Sequence, residues 1–166
     1  GLRYKIASLE RAMAYVGREG LYRWLTLLLF HTGRNEPQDE AVREIALVRG
    51  RLIELLTQGR LGREQAEMAF IAGMLSLTDV LFRMPLAQAL AQLRLPDEVQ
   101  DALLRRQGPL GDYLALALAC EEGEQTEIAE LAVRCGLDPA LVSARHLEAV
   151  AWAVQFGENL RADSPL

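Results

Sequence analysis

The chain has 166 residues, a mass of 18.5 kDa and a formal net charge of −5. At 51% apolar and 25% charged residues it has the balance of a globular chain that buries roughly 70% of its unfolded surface, which excludes wholesale disorder. The acidic balance gives no overall pull toward nucleic acid or anionic lipid, and the two cysteines, Cys120 and Cys135, form neither a disulfide framework nor a CxxC site, which reads as cytoplasmic.

Gly and Pro divide the sequence into pieces of helical length, nearly all with a 3.6-residue apolar period. Ser8 caps a helix with Leu9, Met13 and Val16 on its apolar face, ending at Gly17. A second helix, Leu21 to Thr32, is apolar nearly all round, the pattern of a buried helix. The third runs from Gln38 to Gln58 with Ile45, Val48, Leu52, Leu55 and Leu56 on one face. Next comes Arg63 to Phe82, with Met68, Ala69, Ala72, Leu75 and Val80 as its track, then a short helix from Pro85 to Leu93 and another over Asp97 to Arg106. Leu110 to Cys120, Gln125 to Cys135 and Pro139 to Leu160 complete the series. β-branched residues are sparse and alternation never persists, so no strand is expected. The fold class is therefore all-α, a compact bundle of about nine helices. The longest apolar run, Tyr113 to Cys120, falls short of the roughly 20 residues of a membrane span. Arg3 and Lys5 lead straight into an amphipathic segment, so no signal peptide is visible, and a first residue of Gly reads as a piece of a longer protein.

Catalytic chemistry has little to work with. A hydrolytic metal centre needs clustered His, Asp, Glu or Cys, yet only His31 and His146 exist, neither with a second histidine at helical spacing. His31 is expected to close a buried helix against its carboxyl-end carbonyls, and His146 to sit partly exposed. No GxSxG, GxxxxGK[ST] or GxGxxG is present, and neither cysteine is flanked by a histidine. Glu121, Glu122 and Glu124 at a helix end read as solvated surface. No catalytic residue, metal ligand or cofactor is assigned.

Ile128 to Val150 places Ala132, Gly136 and Val142 at helix-turn-helix spacing: a small residue at the helix contact, Gly in the turn, and an apolar anchor in the second helix. DNA reading requires that helix to offer basic or amide groups to base edges. It offers Ser143, Arg145 and His146 beside Asp138 and Glu148. Residues 64–166 hold 7 basic and 16 acidic side chains, whereas residues 1–63 hold 11 and 7. An ordinary helical hairpin is the stronger reading, and nucleic acid is a disfavoured partner.

The segment Ala69 to Met84, AFIAGMLSLTDVLFRM, resembles the central helix of the HD superfamily of metal-dependent phosphohydrolases, whose pattern is A-F-x-A-G-L-L-H-D-I-G. The metal-binding His-Asp pair of that superfamily falls here on Ser76 and Leu77, and Leu offers no lone pair. ALVRGRLIELL, Ala46 to Leu56, occupies the place of a helix that supplies a further histidine and contains none. With two ligand sites empty, the chain resembles the HDOD family, the HD-related output domains of bacterial signalling proteins. KIASLERAMAYVGREGLYRWLTLLL, Lys5 to Leu29, is similar to that family's I-x-S-I-x-x-A-I-x-x-L-G segment, and RRQGPLGDYLALALACEEGE, Arg105 to Glu124, looks like the subgroup in which HDOD follows an EAL domain.

The resemblance implies a degenerate HD core over residues 1–124, early helices of the full domain preceding Gly1, and a C-terminal helical extension, 125–166, packed on it. It implies a non-catalytic domain that relays signals through protein contacts and regulates an attached EAL domain, cyclic-di-GMP phosphodiesterase-like. Its partner is that domain or a homodimer mate, with no membrane involved. Arg105, Arg106, Glu121, Glu122 and Glu124 are the candidate interaction surface. Two alternatives stand beside it: a DNA-binding regulator using residues 128–150, and a residual phosphohydrolase with relocated ligands, for which Asp79 is the one acid left in the former active helix.

Overall fold

The computed structural model describes residues 37–91, 93 and 95–162; among them are eight helices and no strand. They are α1 (Pro37–Thr57), α2 (Arg63–Leu75), α3 (Thr78–Phe82), α4 (Leu86–Leu90), α5 (Asp97–Arg105), α6 (Gly108–Glu122), α7 (Gln125–Arg134) and α8 (Pro139–Ala162). The all-α expectation holds. The helices expected over Ser8 to Gly17 and Leu21 to Thr32, with His31 and the Lys5 to Leu29 segment, lie outside the described residues.

Local chemistry sets most boundaries. α1 and α8 open on proline, which costs no hydrogen bond in a first turn, and Asp39 and Glu40 place acid where the helix dipole is positive. Asp138 caps α8 by accepting from the Ala140 amide at 2.8 Å. The α7–α8 turn is a Schellman motif: Leu137 N–H donates to Ala132 O at 2.8 Å and Gly136 N–H to Val133 O at 2.9 Å, with Gly136 at φ 67°.

One expected helix, Arg63 to Phe82, is instead two. Ser76 Oγ donates to Gly73 O at 2.6 Å and Thr78 Oγ1 to Leu75 O at 2.7 Å. Hydroxyls that bond the preceding turn compete with helix continuation, and the chain breaks at Leu77, φ −112° and ψ 10°. Two residues placed on apolar faces are exposed: Ile45 at 43% and Val80 at 48%. In α1 the buried track is Ala46, Leu47, Leu52, Ile53 and Leu56.

α1 is the hub, packed on α2, α8, α6 and α3. It crosses α2 at two glycines. A Cβ on Gly73 would lie 2.5 Å from Gly50 Cα, and one on Gly50 would lie 2.9 Å from Phe70 O, so the backbones meet with no side chain between them. The larger apolar core joins α1 and α2 to Val99 and Leu103 of α5, Leu114 and Leu116 of α6, Leu131 of α7 and Val142 of α8. A smaller cluster seats the far half of α8: Ala153 packs with Ala46, Leu47, Phe70 and Met74. Beside it Trp152 stands edge-on to Phe70 at 5.9 Å, stacks on Phe156 at 4.9 Å and lies 5.5 Å below the Arg51 guanidinium.

Candidate functional site

The glycine crossing sets α1 close enough to the end of α2 for side chains to bridge them. Arg49, one residue before Gly50, sends its guanidinium into the space beside Ser76. Its Nη1 donates to Ser76 Oγ at 2.7 Å. Its Nε and Nη2 donate to Glu121 Oε1 and Oε2 at 2.7 and 2.6 Å, a two-pronged ion pair of the strong, directional kind. The Arg49 side chain is 5% exposed and that of Glu121 22%. One fork thus ties α1 to the end of α2 and to the last turn of α6.

Two further charges stand nearby. Arg106, in left-handed conformation at φ 55°, closes α5 and donates to Leu103 O at 3.1 Å. Burial lowers its pKa, the Arg49 guanidinium lowers it further, and the Asp79 carboxylate opposes both. Asp79 lies at the start of α3, and its Oδ1 is buried without a hydrogen-bond partner.

This arrangement brings together two places that the HD resemblance links: the Ser76 position and the helix Ala46 to Leu56. What joins them is an arginine. A guanidinium has no lone pair and keeps its charge, so it offers a metal ion nothing and repels it, while Glu121 spends both oxygens on Arg49. Leu77 packs against the smaller apolar cluster. Among the described residues no group of three or more His, Cys, Asp or Glu is placed to hold a metal ion. The thiols are poor nucleophiles as well. Burial, then Glu121, pushes Cys120 up to about 11, and burial, then Asp112, pushes Cys135 up to about 11, so both stay protonated near neutrality.

The five residues of the candidate surface do not share one environment. Arg105 projects outward and pairs with Asp101, Arg106 folds back on its own helix, and Glu121 turns inward to Arg49. Glu122 and Glu124 are exposed at the α6–α7 turn. Arg49 escaped sequence reasoning, which searched its helix for a histidine. Its signal was a charged residue three before Leu52 and four before Ile53, on the buried track.

The α7–α8 hairpin has the turn its spacing foretold, with Ala132 and Val142 fully buried. On α8, Arg145 is held by Glu148 at 2.5 Å and His146 is half-buried. The outward residues include Leu141, Leu147, Val150 and Val154, a face unsuited to reading base edges. No described helix is long and apolar enough to cross a membrane.

Fold and site together define an all-helical chain with an arginine-centred ion pair at a helix crossing. Two relatives set this in context. The chain is 28% identical over 149 residues to the cyclic di-GMP phosphodiesterase CdgJ of Vibrio cholerae, covering 89% of this chain and 34% of that protein. It is 29% identical over 153 residues to the uncharacterized protein YuxH of Bacillus subtilis, covering 91% of this chain and 37% of that one. The chain therefore spans little more than a third of either relative. No family profile and no solved structure matches it.

Proposed function

We propose that this chain is a non-catalytic signalling domain of HDOD type, acting through protein contacts within cyclic-di-GMP signalling. The observation that carries the reading is the Arg49 guanidinium, seated between Ser76 and Glu121, where the HD resemblance calls for ligands and water. Similarity to a protein named as a cyclic di-GMP phosphodiesterase, of which this chain matches 34%, supports the link to cyclic-di-GMP signalling, and the neighbour in this reading is the EAL domain that the HDOD resemblance implies. In this reading residues 1–124 are the degenerate HD core and residues 125–166 its extension. The domain works in the cytoplasm, regulates the EAL domain or a second copy of itself, and uses neither metal nor nucleic acid.

Two measurements test it. After growth with added manganese and iron, elemental analysis of the purified chain is expected to give no stoichiometric metal. Hydrolysis of cyclic di-GMP by a full-length relative is expected to persist, at a changed rate, once the segment matching this chain is deleted. Metal bound one-to-one and released by Asp79→Ala would overturn the reading in favour of a relocated phosphohydrolase centre.

A further inference from the structure

Two residues beside the Arg49 fork sit where the fold bears a cost. Asp79 Oδ1, in the first turn of α3, is buried without a hydrogen-bond partner, and a carboxylate oxygen removed from water is costly until a donor replaces it. Arg106 ends α5 in left-handed conformation at φ 55°. α6 and α7 close in that conformation on Gly123 and Gly136, because a Cβ strains it. The Arg106 guanidinium is also thinly employed. Its Nη1 donates to Leu103 O at 3.1 Å and, more weakly, to Ala102 O at 3.4 Å of its own helix, and its other nitrogens donate to nothing among the described residues. The two residues are neighbours: the Asp79 carboxylate and the Arg49 guanidinium both act on Arg106.

We propose that Asp79 and Arg106 are the halves of a latch, open in this structure, that closes when the guanidinium leaves its own helix end and donates to Asp79 Oδ1. Closing gives the buried oxygen its donor and exchanges bonds to neutral carbonyls for a charge-assisted one. It also returns the Ala102 and Leu103 carbonyls to water, so the two positions balance gain against loss. What the latch holds is α3. That helix has five residues, buries Thr78 and Leu81, and packs mainly on α1 and α4. A segment so lightly anchored opens more readily than the core. The Arg49 bridge fastens α1, the end of α2 and α6 to one another and stops at Ser76. The chain beyond it, from Thr78 to Leu90, is fastened by the latch when it closes. α3 and its exit carry Val80 and Met84, exposed at 48% and 37%, so a partner that captures one position of the segment draws the equilibrium toward it. The latch gives Asp79 a role in the fold itself and does not depend on the non-catalytic reading.

Amide hydrogen exchange on the whole chain, read residue by residue by NMR, tests the latch at the Leu81 and Met84 amides, which bond to Leu77 O and Asp79 O. Arg106→Gly keeps the left-handed backbone, relieves its strain and removes the guanidinium. It is expected to hold or raise the melting temperature, with the Leu103 amide unchanged. At Leu81 and Met84 it is expected to speed exchange about threefold, the change for a latch closed roughly two-thirds of the time. Asp79→Asn is expected to speed the same two amides by a similar factor, and the double variant no further than either single one. Exchange that is unchanged or slower in Arg106→Gly overturns the latch and leaves Arg106 as a strained cap alone. A double variant in which the two accelerations multiply shows independent roles and overturns it equally.

Discussion

At the crossing of α1 and α2 a guanidinium and a hydroxyl are buried and meet a carboxylate at the protein's edge, while on the outer side of α8 aliphatic side chains stand in water. The two regions depart from the usual partition in opposite directions, and for different reasons. The buried charges satisfy one another: each polar atom of Arg49 named above has an oxygen within 2.7 Å. The aliphatic face of α8 has no such partner among the described residues. A satisfied buried polar group is a structural element; an uncovered apolar face is an unfinished contact.

Removing one side of the buried pair should cost most. Glu121→Ala leaves the buried Arg49 guanidinium without its counter-charge, a loss of about 3 kcal/mol read from urea denaturation, whereas Arg49→Met with Glu121→Leu should return to within about 1 kcal/mol of the parent. Should the single change prove nearly silent, the pair holds nothing together. Gly73→Ala comes next. Its methyl meets the α1 backbone and should destabilise by about 2 kcal/mol as the helices are forced apart, with Gly50→Ala behaving alike in the same denaturation assay.

A smaller effect appears at high pH. The folded thiols titrate at about 11 against an ordinary 9.0, so the unfolded chain gives up those protons first. Stability linked to them is whole below about pH 9 and drains as pH rises toward 11. Tyr113, raised mainly by burial, adds loss of the same sign above its ordinary range. Melting temperatures of Cys120→Ala/Cys135→Ala should therefore fall less steeply across that window than those of the parent. Least affected is Leu147→Glu, at an exposed position, expected within about 0.5 kcal/mol of the parent in the same denaturation assay.

The sequence disclosed the helical class because apolar spacing is a local property, and it disclosed the α7–α8 hairpin because Gly136 and Asp138 carry their own turn and cap chemistry. It misplaced what depends on tertiary geometry. Ser76 and Thr78 look harmless within a helical period, yet their hydroxyls bond the turn before them and end α2. Ile45 fits a periodic face as well as Ala46 does; only the crossing at Gly50 decides which of them turns inward. The centre of the site was hidden for a related reason. Arg49 and Glu121 are 72 residues apart, and nothing in either segment announces the other, so Glu121 read as solvated surface.

The aromatic group beneath α8 has an optical meaning. Trp152 lies between the face of Phe156 and the edge of Phe70, under the Arg51 cation. Its indole gauges how firmly the far half of α8 is seated on α1 and α2. In a chain carrying Trp24→Phe, which leaves it as the sole tryptophan, the colour of its emission follows that seating, so a partner that levers the helix away would be seen as light before it was felt as any change in mass.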